Sequence, residues 1–308
     1  MIKRRRFLTL CGGLFAGIFA AGHSRPKHTP ADNGKQEFVG PPMPDTQPIK
    51  KVHRKRYAIQ ITDLHPDFVI ADNMPLSDDS PAEDTVTEVI LDESDTVVFN
   101  AVVERLARLQ NYVGYGNFNV IGWDQSLLIA RSRERVGEFS KTELEFIEKL
   151  FFTNADLLGF YGDKVVTELS STIAKKDIVK IPGSGHYLFK GEAADTYYRI
   201  RRDVGDSIVL TSGIRSVVKQ IYLFLNKAAR VNGNLSLASY SLAPPGHSYH
   251  ALGDFDVGKH GFGRNNFSAK FADTDEFRRL LDLGYLDIRY PQNNPFGVRY
   301  EPWHIKVV

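Results

Sequence analysis

Among 308 residues there is a single cysteine, Cys11. Such a chain cannot be held together by intramolecular disulfides, and it cannot build cysteine-rich zinc sites or iron–sulfur clusters. It must be stabilised by an apolar core, for which a length corresponding to about one or two domains is ample. Any metal it binds must sit on histidine and carboxylate ligands. With 42% hydrophobic and 25% charged residues, the composition is that of a soluble globular protein. It excludes intrinsic disorder, a collagen-like fold and a polytopic membrane protein.

The formal net charge is only +2, which gives no reason to expect nucleic acid as a partner. That average hides an uneven distribution. Residues 1–22 begin with Lys3, Arg4, Arg5 and Arg6 and continue as an uncharged apolar run from Phe7 to Gly22. The run falls short of the roughly 20 apolar residues of a comfortable bilayer span, and it reads as an export signal. Arg4-Arg5-Arg6-Phe7-Leu8 resembles the twin-arginine motif R-R-x-F-L, although Lys3 stands where Ser or Thr is usual. Ala20, Ala21 and Gly22 suit a cleavage site. An ordinary secretory signal and an uncleaved anchor are the alternatives. Cys11 precedes most of the apolar run, which argues against a lipoprotein. The expected location is the periplasm or cell envelope, with a membrane tether only if the leader is retained. Residues 23–56 carry six prolines and the basic run Lys50–Arg56, and read as an extended linker. Residues 57–308 hold 27 basic against 34 acidic side chains, so the folded part is acidic.

Residues 57–179 read as a mainly helical N-terminal subdomain. The acidic, proline-containing stretch at 72–95 is taken as a loop. Val98, Val102, Leu106, Leu109 and Val113 then recur at helical spacing, with a cap expected at Ser94 or Asp95 and a stop at Gly114. Ser140-Lys141-Thr142-Glu143 is a capping-box pattern opening a second helix with Leu144, Ile147, Leu150 and Phe151 on one face. From about Lys180 the texture changes. Ile208–Thr211 reads as a strand leading into Ser212-Gly213-Ile214-Arg215 and a helix with Val218, Ile221, Tyr222 and Leu225 on its apolar face. A helix around Thr274–Leu283 and a strand at Leu286–Tyr290 follow. Strands separated by unequal helices and loops indicate α+β and not a βαβ repeat.

Potential metal ligands concentrate in residues 246–258 and in Glu301-Pro302-Trp303-His304. A catalytic zinc ion takes three protein ligands and keeps a fourth position open. His250, Asp256 and His304 would supply such a set, and Glu301 is placed to take a proton from water. No H-E-x-x-H occurs, which excludes the helical metalloprotease arrangement. The ligands must come from strand ends and turns. Residues three apart on an ideal strand face opposite ways, so Glu301 and His304 can converge only if Pro302 marks a bend. His186, His247 and His260 are read as ordinary surface or hydrogen-bonding residues, and Tyr249 and Trp303 as packing.

The segment Ser248-Tyr249-His250-Ala251-Leu252-Gly253-Asp254-Phe255-Asp256 resembles the S-x-H-x-x-G-x-x-x-D block of the VanY-type zinc D-alanyl-D-alanine carboxypeptidases. These belong to a wider group with lysostaphin-like and hedgehog-like folds. Three further stretches fit the same family in order: Ser212–Ser216 with Gln220, Phe271–Pro291, and Glu301–His304. The resemblance covers residues from about 208 to the C-terminus. It implies an α+β domain at 180–308, a small antiparallel sheet flanked by helices and carrying zinc (Zn2+). Carried over, it makes His250, Asp256 and His304 the ligands and Glu301 the base, with Arg215 stabilising the oxyanion. Ser248 and Gln220 become substrate contacts, and Arg289 or Arg299 would receive the terminal carboxylate. The family places six residues between its His and Asp, whereas His250 and Asp256 have five between them. Asp254 is the rival, since residues two apart on a strand face the same way. His247 and Asp254 keep the spacing of six but lose the Ser-x-His context. The implied activity is removal of terminal D-Ala from peptidoglycan stem peptides, by a protein expected to be a monomer. Cleavage as an LD-carboxypeptidase or stem-peptide endopeptidase is the alternative within the fold; a non-catalytic, zinc-containing binding module is the alternative outside it.

Overall fold

A computed structural model describes residues 88–308. The leader, the linker and most of the acidic stretch at 72–95 lie outside the described residues. The first helix, α1 (Glu93–Val113), begins after Asp92, slightly before the expected cap, and stops where Gly114 adopts a φ of 82°. It is followed by α2 (Tyr115–Phe118), α3 (Trp123–Ser132) and α4 (Lys141–Phe152). The capping box of α4 is formed: the Ser140 amide donates to the Glu143 carboxylate and the Glu143 amide to Ser140 Oγ. Arg105 of α1 also donates to Glu143, at 3.0 Å, so the residue that starts α4 ties it to α1.

A two-stranded hairpin, β1 (Ile178–Lys180) with β2 (Tyr187–Phe189), leads to α5 (Glu192–Val204) and then to β3 (Ile208–Ser212). Next come α6 (Val217–Arg230), capped by Ser216, and the short α7 (Leu235–Ser241). Every residue of α6 from Val217 to Ala229 is buried. A helix covered on all faces lies in the middle of a fold rather than on its surface. The chain closes with β4 (Phe255–Lys259), α8 (Asp275–Asp282), capped by Thr274, and β5 (His304–Ile305). One apolar core takes in Phe99 and Leu106 of α1, Ile147 of α4, Phe224 of α6, Phe255 of β4, and Trp303. Each such side chain contributes about 1.5–3 kcal/mol on burial. Among the described residues no helix is long and apolar enough to cross a membrane.

The second sheet positions the chemistry. It is antiparallel throughout, in the order β3-β4-β5. Leu210 pairs with Val257, a register shift follows, and Ser212 then stands opposite Asp256. On the other edge Asp256 faces His304. The central strand therefore carries one carboxylate between the loop after β3 and the histidine of β5. The strand expected at Leu286–Tyr290 is instead irregular and touches the sheet through a single bridge, Ile288 opposite Ile305. Because β5 is only two residues long, it offers no edge along which a longer strand could pair.

A segment from the N-terminal region crosses behind the final loops. The Tyr161 amide donates to the Phe296 carbonyl and the Val166 amide to the Gly246 carbonyl, both at 2.9 Å. At Gly297, where φ is 73°, an added Cβ would sit 2.0 Å from the Gly159 carbonyl oxygen. Gly297→Ala therefore combines a left-handed backbone with a steric clash. It is expected to lower the stability by about 2–4 kcal/mol, read as a lower midpoint in denaturant unfolding; an unchanged midpoint would refute this close crossing.

Candidate metal centre and active site

Asp256 is buried on the central strand, and two histidines converge on its Oδ1. His250 Nε2 and His304 Nδ1 each lie 3.3 Å from it. All three ligand-type atoms lie within 4.8 Å of one another. Ligands about 2.0–2.2 Å from a tetrahedral zinc ion stand roughly 3.3–3.5 Å apart, so the two distances from Asp256 to the histidines fit such an ion. The hydrogen bonds around the rings fix which nitrogen is available. His250 Nδ1 lies 2.8 Å from the Gly213 carbonyl, which can only accept, so Nδ1 carries the proton and Nε2 presents a lone pair. His304 Nε2 donates to Asp254 Oδ2 at 3.0 Å, leaving Nδ1 for the centre. Neither His250 Nε2 nor Asp256 Oδ1 has a hydrogen-bond partner among the described residues. A cation would satisfy both.

The electrostatics agree with that fit. Burial, followed by the charge of Arg215, pushes His250 down to about 4, so it is neutral at pH 7 as a ligand must be. Burial alone would also lower His304, but its hydrogen bonds to Asp254 and Glu301 and the charge of Asp256 outweigh this and raise it to about 9. A proton on His304 offsets the surrounding carboxylates; a divalent ion would displace it. Burial would raise the Asp256 carboxyl, yet neighbouring His250 and Arg215 reverse this and hold it below the usual carboxylate range.

Glu301 and His304 do converge. The His304 amide donates to the Glu301 carbonyl at 3.1 Å, closing a turn through Pro302 and Trp303, and Glu301 Oε2 comes to 3.5 Å from His304 Nδ1. Both side chains line a pocket of about 300 Å³, counting its open mouth, together with Arg215, Ser248, Tyr290 and Val298. Arg215 Nη2 donates to Asp256 Oδ2 at 2.7 Å and its Nε to Ser212 Oγ at 3.0 Å. The guanidinium thus steadies Asp256 while facing the pocket.

The family model described as VanY: D-alanyl-D-alanine carboxypeptidase matches residues 192–308. This part of the chain is similar to the VanY family. Similar solved structures include the vancomycin resistance D,D-dipeptidase VanXYg in complex with a D-Ala-D-Ala phosphinate analog. It is 25% identical over 54% of this chain and 65% of its own, with a TM-score of 0.37. Another is VanYB in complex with D-alanine-D-alanine, 24% identical over 42% of this chain and 76% of its own, with a TM-score of 0.32. The chain thus spans 65% of the length of VanXYg, less than two thirds of it. No curated protein matches it.

Within the matched residues 192–308 the remaining sequence candidates separate. Ser248 lines the pocket, and Gln220 lines an adjoining recess that also contains Arg215 and Ser248. Arg289 and Arg299, the two candidates for carboxylate binding, are not turned into the pocket. Arg289 makes a two-pronged contact with Asp254 at 2.6 and 3.1 Å, stacks 3.7 Å from the centre of the Tyr249 ring, and reaches the Val308 carbonyl. Arg299 donates to the Phe267 carbonyl and lies over Trp303. Asp254 stands behind His304 rather than beside His250, in the position of a carboxylate that orients a ligand histidine. His247 is buried against Phe160, its Nδ1 3.1 Å from the Gly162 carbonyl, and packs against the crossing segment.

That segment is what sequence reasoning missed. Tyr290 and Val298, which wall the pocket, pack with Ala155 and Phe160, and Tyr249 Oη donates to Asp163 at 3.2 Å. Residues before the region matched by the family model therefore support the pocket. The available hint was the pair of glycines at 246 and 297, where close backbone approach leaves no room for a Cβ.

Proposed function

We propose that this chain is an exported zinc carboxypeptidase that removes the terminal D-Ala of peptidoglycan stem peptides. The observation that carries the reading is one pocket lined by Glu301, Arg215, His250 and His304, with Asp256 3.3 Å from both histidines, in a region that matches the VanY family model. His250, Asp256 and His304 would hold the zinc, which would supply a Lewis acid for the attacking water and the scissile carbonyl. Glu301 Oε2 takes the proton of that water and delivers it to the leaving amine. Arg215 offsets the negative charge that develops on the carbonyl oxygen. Export rests on the leader sequence.

A purely structural zinc site is closed and needs no base, so Glu301 and Arg215 in one open pocket weigh against a non-catalytic module. An endopeptidase is the second reading. It is favoured by one observation: neither Arg289 nor Arg299 faces the pocket to anchor a terminal carboxylate.

Incubating the purified protein with a pentapeptide stem should release one alanine, seen by mass spectrometry. A chelator should abolish this and added zinc restore it. Cleavage within the stem would replace the carboxypeptidase by the endopeptidase, and activity unaffected by thorough metal removal would overturn the zinc mechanism.

A further inference from the structure

Most polar groups of the pocket already have a task. His250 and His304 face the metal centre, Glu301 handles the proton and Arg215 the carbonyl oxygen. Ser241, the last residue of α7, does not. It is among the residues lining the same pocket, it is 3% exposed, and its Oγ has no hydrogen-bond partner among the described residues. An unpaired buried hydroxyl costs about 1–3 kcal/mol. A cost at the wall of a substrate pocket is recovered when the ligand brings the missing partner. Leu242, Ala243 and Val298 of the same lining carry no side-chain donor, whereas Ser241 does. With Arg289 and Arg299 engaged elsewhere, the requirement for neutral donors is greater still.

We propose that Ser241 Oγ donates a hydrogen bond to an acceptor oxygen of the bound peptide, either the terminal carboxylate or a main-chain carbonyl. This rests on the peptidase reading above and extends it to a residue that none of the four family-like blocks contains. Ser239, two residues earlier, is an internal control. It is buried with an unpartnered Oγ as well, but it is not among the residues lining the pocket.

The test is steady-state kinetics on a stem pentapeptide and on its C-terminal amide, for wild type, Ser241→Ala, Ser241→Thr and Ser239→Ala, alongside thermal melting. Ser241→Ala should raise KM about 3–10-fold with kcat little changed, as expected for the loss of one hydrogen bond made equally in ground and transition states. Its melting temperature should not fall, because the hydroxyl removed had no partner. Ser241→Thr should recover most of the affinity, and Ser239→Ala should leave KM unchanged. A KM increase confined to the free acid assigns the bond to the carboxylate; an equal increase on both peptides assigns it to a carbonyl. An unchanged KM in Ser241→Ala, an equal KM increase in Ser239→Ala, or no recovery in Ser241→Thr overturns the proposal while leaving the peptidase reading intact. A wild-type protein inactive on every stem peptide overturns that reading and this proposal with it.

Discussion

Glu301→Gln is expected to lower kcat on stem peptides by about 10²–10⁴-fold, the range for losing a positioned general base, with zinc content and KM little changed. The substitution keeps the side-chain shape. The backbone hydrogen bonds that hold the turn, from the Glu301 amide to the Tyr290 carbonyl and from the His304 amide to the Glu301 carbonyl, do not involve the side chain. What disappears is the ability to accept a proton 3.5 Å from His304 Nδ1. Since Glu301 is not one of the three converging ligands, metal binding should survive. Full activity at unchanged zinc content would remove Glu301 from the mechanism; loss of zinc along with activity would make it a ligand or a support for one. Parallel measurements of kcat and of bound metal separate these outcomes.

How much of this was legible in the sequence depended on the range of the interaction. Ser140 and Glu143 announce the start of α4 because a capping box spans four residues. Glu301, Pro302 and His304 announce a bend because ligand and base must converge across three. The α+β character and the strand at Ile208 are likewise carried by local pattern. Leu286–Tyr290 has the same strand-like pattern but pairs with β5 only through the Ile288–Ile305 bridge, and tertiary context decided its form. Arg289 and Arg299 show the same limit for the site. Both lie near the final motif in sequence, yet their partners are Asp254 and Phe267, 35 and 32 residues away. No spacing rule reports such contacts, nor the support that Phe160 lends to Tyr290 and Val298.

The one-residue shortening between His250 and Asp256 left two carboxylates competing for one role, and a pair of substitutions decides between them. Asp256→Ala removes the carboxylate on which both histidines converge, and zinc binding should be lost. Asp254→Asn keeps the shape but removes the charge that accepts from His304 Nε2 and from Arg289. His304 would remain a ligand with a less fixed ring, and zinc affinity should fall about 10–100-fold, the usual cost of losing a partner that orients a ligand. Asp254→Ala goes further. It strands the Arg289 guanidinium, itself buried, and leaves the Val307 amide without its acceptor. Breaking a buried pair from one side costs about 3–5 kcal/mol, so this variant should unfold at clearly lower denaturant than Asp254→Asn. The expected order of zinc affinity is wild type, then Asp254→Asn, then Asp256→Ala, measured by competition with a chelator of known affinity on folded protein. If Asp256→Ala retained zinc more tightly than Asp254→Asn, the ligand would be Asp254, and the register that pairs Asp256 with His304 across β4 and β5 would no longer explain the site.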